Sequence, residues 1–153
     1  MIPENSSIPP VNERMFREKA NTYPPCFSAR CPLREHCLHA LVIPYIPQDR
    51  YVTTAINLCQ PQAETESCEM YRSSEPVRMP LGLLHIYHDM PSRIERNIKN
   101  RLIQTYSRKR YYEYHSGKRP VTPDVEAYVR QVCLANGWTA ELHFPDYVEE
   151  YVW

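Results

Sequence analysis

Six cysteines are the residues best suited to chemistry in this 153-residue chain, and five of them lie between positions 26 and 68. The run Cys26-Phe-Ser-Ala-Arg-Cys31-Pro-Leu-Arg-Glu-His-Cys37 is followed by Cys59 and Cys68. A tight, proline-containing loop can bring Cys26, Cys31 and Cys37 onto one ion, with Cys68 or Cys59 closing the site from a distant segment. Ligation by sulfur selects zinc or an iron–sulfur cluster over the hard cations. Zinc is the reading adopted, because it asks least of the surrounding machinery, and an iron–sulfur cluster serving a redox partner is the alternative. His36 and His39 fall in the same run and can each stand in for a cysteine. The spacing matches no common zinc finger, since four residues rather than two separate Cys26 from Cys31.

Other uses of these thiols fit less well. A disulfide framework suits the cysteine density but belongs to an oxidising compartment. Buried free thiols behave as small apolar side chains, which is the natural reading of Cys133 on its apolar helical stripe. A catalytic thiol wants the Cys-x-x-Cys that opens a helix after a strand, and no such motif occurs. His85 and His88 share a helical face, but Pro80, Gly82 and Pro91 argue against a long helix there, so they are read as surface or packing residues. No catalytic residue and no small-molecule substrate is assigned.

The elements that must position this site divide the chain in three. Residues 1–25 hold five prolines and little periodicity, and are read as an extended or partly disordered arm. Residues 26–76 form the Cys-rich metal-binding region. Within it Arg34 to Val42 suits a helical turn or two, and Tyr51 to Leu58 has the β-branched character of a short strand. Residues 77–153 form a helical region. Ser92-x-x-Glu95 makes a capping box for a helix carrying Ile94, Ile98, Leu102 and Tyr106 at helical spacing. A second helix begins at Ser107 and stops at Gly117. Thr122 caps a third, with Pro123 at its first position and Val125, Tyr128, Val129, Val132 and Cys133 facing inward. The tail from Pro145 to Trp153 is expected to add an amphipathic turn.

The second helix carries the other unusual run, Ser107-Arg-Lys-Arg-Tyr-Tyr-Glu-Tyr-His-Ser-Gly-Lys-Arg. From Arg93 to Arg119 there are nine basic and two acidic residues, a local charge of +7 in a chain whose formal net charge is zero. No whole-molecule field therefore draws the protein to nucleic acid or membrane, but this segment forms a patch. Arg108, Lys109, Arg110, Lys118 and Arg119 can neutralise phosphates of DNA or RNA, and Tyr111 can stack on a base. Residues 92–137 resemble the recognition-helix end of helix-turn-helix repressors, although the short helix that normally braces the recognition helix is missing. In the competing reading the basic face is merely solvated and the tyrosines fill a core. A surface bearing the tyrosines and the C-terminal tryptophan that binds another protein is the remaining alternative.

Composition limits the core. Hydrophobic residues make up 42%, but twelve are tyrosines whose hydroxyls want water or a partner. Fifteen prolines against three glycines argue for stiff irregular connections rather than a large sheet. Without a basic stretch leading into an apolar one at the N-terminus, and without a run near the roughly 20 apolar residues that span a bilayer, the expected location is the cytoplasm.

Three runs carry a family likeness: Cys-x4-Cys-Pro-x4-Cys-Leu at Cys26 to Leu38, Tyr-Ile-Pro-x-Asp-Arg at Tyr45 to Arg50, and Pro-Val-Arg-x-x-Leu-Gly at Pro76 to Gly82. With the Tyr-rich segment and aromatic C-terminus, residues 24–153 resemble an uncharacterised family of small bacterial proteins. The resemblance implies that the Cys region and the helical region belong to one unit, and it carries over no activity. The expected fold is α+β, mainly α: an irregular Cys-rich metal knuckle with a short strand or hairpin, packed on a C-terminal three-helix unit. A bound ion would replace the core that the first 76 residues cannot supply alone.

Overall fold

Helix-compatible apolar spacing is confined to a few stretches, and the computed structural model, which describes residues 12–153, places its regular elements there. Among the described residues these are α1 (Glu13–Lys19), α2 (Leu38–Leu41), β1 (Val77–Leu81), α3 (Ser92–Tyr106), α4 (Arg108–His115), α5 (Pro123–Ala135) and β2 (Asp146–Glu150). The fold is therefore mainly helical with one small two-stranded antiparallel sheet. The chain divides into two compact units, one of residues up to Glu75 with Trp153, the other Pro76–Val152.

The second unit has a continuous apolar core. Ile98 and Leu102 of α3, Tyr111 of α4 and Val125, Val129 and Val132 of α5 are buried together, joined by Leu83 and Ile86. Full burial of each aliphatic side chain contributes roughly 1.5–3 kcal/mol. α3 starts differently from the sequence expectation. Pro91 is its N-cap and Ser92 already lies inside it, with no side-chain capping bond, because the Pro91 carbonyl accepts from Ile94 and Glu95 at 2.8 and 3.0 Å. The helix ends at Tyr106, where Ser107 takes φ +72° and its hydroxyl accepts from the Arg110 N–H at 3.5 Å to start α4. A one-residue break at positive φ thus replaces a longer turn. α5 opens on Pro123 as expected, and Gly137 with φ +81° follows its end.

The tail is a correction. Asp146–Glu150 is a strand, not an amphipathic turn, and pairs with β1 from Val77↔Glu150 to Leu81↔Asp146. Tyr147 and Val148 are adjacent residues of strand-forming type, and a partner edge decides that the segment is extended. Arg78 lies over the Tyr147 ring at 4.3 Å, a cross-strand contact that fastens the pair. Pro80 is tolerated in β1 because its position calls for an acceptor: its carbonyl takes the Val121 N–H at 2.8 Å.

The first unit is mostly irregular. Of the segment read as an extended arm, residues 1–11 lie outside the described residues, but Glu13–Lys19 is a helix. Asn12 caps it through its side-chain oxygen, accepting from Met15 N–H at 3.2 Å, and Phe16 buries its ring 5.0 Å from Trp153 and 5.3 Å from Tyr45. One buried aromatic per two turns is too sparse a pattern to read as periodicity. Arg34 to Val42 is helical as expected, a 3-10 turn at Arg34–His36 followed by α2. Tyr51 to Leu58 is not a strand. Tyr51 and Val52 are 102% and 84% exposed, and one of the segment's links to its surroundings is the Ile56 N–H donating to Pro25 O at 2.9 Å. β-Propensity without a neighbouring edge leaves extended chain unpaired.

Candidate functional site

Four segments of the first unit bring cysteines to one place. Cys26 follows Pro25 and donates its N–H to His39 O at 2.7 Å. Cys31 is held by its N–H donating to the Ser28 hydroxyl at 3.1 Å. Cys37 forms an isolated antiparallel bridge with Ser73 and caps α2. Cys68 sits in a turn, its N–H donating to Thr65 O at 3.3 Å and its carbonyl accepting from Tyr71 at 3.1 Å.

Cys26, Cys31, Cys37 and Cys68 together line a cavity of about 20 Å³, whose remaining wall is largely Leu33, Ile56, Leu58, Ala63 and Met70. That volume accepts a single water-sized sphere. None of the four thiols is in a disulfide. Burial pushes the Cys26 thiol up, a hydrogen bond with the Ser28 backbone opposes the shift, and Cys37, Cys31 and Cys68 raise it further through mutual repulsion of their charged forms. A cation among them would reverse that balance, since thiolates that repel one another are stabilised by a shared positive charge. Among the described residues, no group of three or more His, Cys, Asp or Glu side chains is gathered closely enough to hold a metal ion as it stands.

Of the two residues offered as the closing ligand, Cys68 lines the cavity, whereas Cys59 is exposed with its N–H turned to the Asn57 side chain. His39 lines the cavity too, but both ring nitrogens are engaged, Nδ1 with Pro24 O at 2.7 Å and Nε2 with the Tyr23 hydroxyl at 3.0 Å. Its ring also stacks on Tyr23 at 4.3 Å. His36 is exposed and does not reach the cavity. Cys133 is buried in the core of the other unit, where desolvation raises its thiol to about 11.

Sequence reasoning missed the device that holds this loop. Ser28, 2% exposed, accepts from Cys31 and donates to Glu64 Oε1 at 2.6 Å, and Glu64 also meets Arg30 at 3.2 Å. The Arg34 guanidinium donates to the Ser28 carbonyl. The bond from Ser28 and, secondarily, the Arg30 charge hold the Glu64 carboxyl below its ordinary value. Glu64 is 36 residues from Ser28, so no local motif announces the pair.

The basic segment lies on the second unit. Arg108, Lys109, Arg110, Lys118 and Arg119 are all exposed, and Arg119 is paired with Glu113 at 2.9 Å. Tyr111 is placed otherwise than expected: it is 1% exposed, its hydroxyl donates to Tyr87 at 3.1 Å, and no face of it is open to a base. Tyr114 is buried as well, so of the helix's tyrosines Tyr112 is the exposed one. The amphipathic geometry of α4 explains this, because residues 111 and 114 share the side turned to the core. Trp153 is partly buried and packs edge-on against Phe16 and Tyr23 at 5.0 Å each. His85 and His88 are exposed. No helix of the described residues is long and apolar enough to cross a membrane.

The chain belongs to a family of unknown function (DUF6078), whose model matches residues 11–153. No curated protein and no solved structure matches it.

Proposed function

We propose that this is a non-enzymatic metal-binding interaction protein of a reducing compartment such as the cytoplasm, in which one zinc ion on Cys26, Cys31, Cys37 and Cys68 organises the first unit. The observation that carries this reading is the convergence of four free thiols, drawn from separate segments, on one small apolar cavity. Four thiolates make a closed tetrahedral set, the arrangement of structural rather than catalytic zinc. The engaged nitrogens of His39 favour an all-sulfur set over a mixed one. Loading would draw the four sulfurs inward, to about 2.3 Å from the metal.

The test is elemental analysis of the purified chain alongside its visible spectrum. One zinc per chain and a colourless protein are expected. A brown protein with iron and sulfide would select the iron–sulfur alternative. Metal-free protein that keeps its full fold with Cys26, Cys31, Cys37 and Cys68 open to alkylation would remove the reading.

The second part of the proposal is that residues 93–119 engage nucleic acid. It is supported by the solvent exposure of Arg108, Lys109, Arg110 and Lys118 beside a core that buries Tyr111 and Tyr114. Binding should weaken steeply with salt, and replacing Arg108, Lys109 and Arg110 by alanine should lower the salt slope by about three, one per lost phosphate contact.

A further inference from the structure

A cleft of about 470 Å³ separates the exposed sides of α3 and α5 within the second unit. Asn97, Asn100, Arg101 and Gln104 of α3 face Tyr128 and Gln131 of α5 across it. The α3 positions recur at three- and four-residue spacing, so they form one helical face, and Arg93 and Arg96 continue that face toward the helix N-terminus. The amides of Asn97, Asn100, Gln104 and Gln131 make no hydrogen bond to protein among the described residues. Each offers two donors and two acceptors. Among the described residues no carboxylate lines the cleft, in a chain with 18 acidic residues.

The chemistry narrows the occupant. Unspent amides match an edge that alternates donors and acceptors, as nucleobases do, and paired Asn or Gln contacts to adenine are a standard recognition mode. Tyr128 supplies an aromatic wall whose ring is held in place, edge-on to Tyr106 at 5.8 Å and with its hydroxyl bonded to that of Thr105 at 2.9 Å. The guanidinium of Arg101 lies beside that hydroxyl and, with burial opposing it, helps hold the Tyr128 proton less tightly than usual, after the larger effect of Thr105. A neutral sugar would match the amides but gain nothing from Arg93, Arg96 and Arg101. A base carried on a phosphate backbone uses both.

We infer that this cleft seats one unpaired base of a single-stranded nucleic acid, read by Asn100, Gln104 and Gln131 against Tyr128, with Arg93 and Arg96 on the flanking phosphates. The inference rests on the nucleic-acid part of the reading above and moves base recognition from α4 to the face between α3 and α5. α4 then supplies phosphate contacts alone, which agrees with the burial of Tyr111. Unpaired bases are recognised in this way by stacking and edge hydrogen bonds, whereas a base in a duplex has its Watson–Crick edge paired and its faces stacked on its neighbours.

The experiment is fluorescence anisotropy of the full chain with a labelled adenine-rich single strand, the same strand with abasic sites, and a duplex of equal length, each across a salt series. The variant is N100A/Q104A, at two exposed helix positions where alanine is a good helix former and the fold is retained. Wild-type protein should bind the intact strand about tenfold or more tightly than the abasic one. N100A/Q104A should lose that preference while keeping the salt slope, because no phosphate contact is removed. Equal binding of intact and abasic strands, or an unchanged preference in the variant, overturns the cleft. Binding of the duplex alone overturns the cleft and leaves the basic face standing. No binding of any of the three at low salt overturns both.

Discussion

The two units of this chain are held together by different physics. In residues 76–152 a run of aliphatic side chains on three helices packs into one core, and the helices are long enough to satisfy their own backbone. In the unit ending at Glu75 the described helices have seven and four residues, and long stretches are irregular. A few buried apolar side chains, Phe16, Leu38 and Val42 among them, are joined by single hydrogen bonds between distant segments, such as Cys26 to His39, Leu38 to Arg72 and Ile56 to Pro25. A unit with so few regular elements has a small core, and a metal bound as proposed would add a cross-link to it. Five of the six cysteines fall in the unit with the fewer and shorter regular elements.

The largest effect should come from breaking the proposed metal link. Structural zinc contributes about 10–16 kcal/mol of apparent binding energy in small modules, as large as a domain's whole net stability of about 5–15 kcal/mol. Chelation, or Cys37→Ser, is expected to abolish hydrogen-exchange protection around residues 26–42 while α3 and α5 stay protected. Exchange mass spectrometry reads both units in one experiment, and a loss spread evenly over both would contradict the contrast.

Leu102→Ala tests the other side. Leu102 is 1% exposed in the helical core, so its truncation should cost about 2–5 kcal/mol in chemical denaturation and leave metal content unchanged. A smaller loss is expected for Ser28→Ala, which removes the acceptor for Cys31 N–H and the donor to Glu64. Leaving a buried donor unsatisfied costs about 1–3 kcal/mol, an upper bound for the partly buried Cys31 N–H, and alkylation of Cys31 should quicken in the variant.

The smallest effect is a pH dependence of the helical unit. Burial, reinforced by the nearby Lys99 charge and opposed by Glu95, lowers the His115 pKa below the ordinary 6.5. The unfolded chain therefore takes up a proton at a higher pH than the folded one. The stability that neutral His115 supports is complete above about pH 6.5 and is lost as pH falls through the folded value. His115→Gln should flatten the pH profile of α4 protection, and NMR titration of the ring should give a midpoint below 6.5.

Much of the helical unit was legible from the residues alone. Ile98 and Leu102, Val125, Val129 and Val132, Pro123 as an opener and Gly137 beyond the helix end are local signals, and each survives in place. The misreadings share one cause. Ser92 was passed over because the neighbouring Pro91 carbonyl satisfied the same donors, Asp146–Glu150 became a strand because β1 offered an edge, and Tyr51 to Leu58 stayed unpaired because none did. Local propensity states what a segment tolerates, and the partner decides which tolerance is used.

For the candidate site the division is similar. Which residues are candidates for chemistry was determined by the sequence itself, because thiols and a basic run are properties of residue type. Which of them meet was left to the tertiary structure. Cys68 rather than Cys59 turns toward Cys26, Cys31 and Cys37, His39 is tied to Tyr23 and Pro24, and Tyr111 is drawn into the core. Segments separated by about thirty residues or more are brought side by side by loop closure, whose cost grows only slowly with length, so spacing along the chain leaves the choice between two such cysteines open.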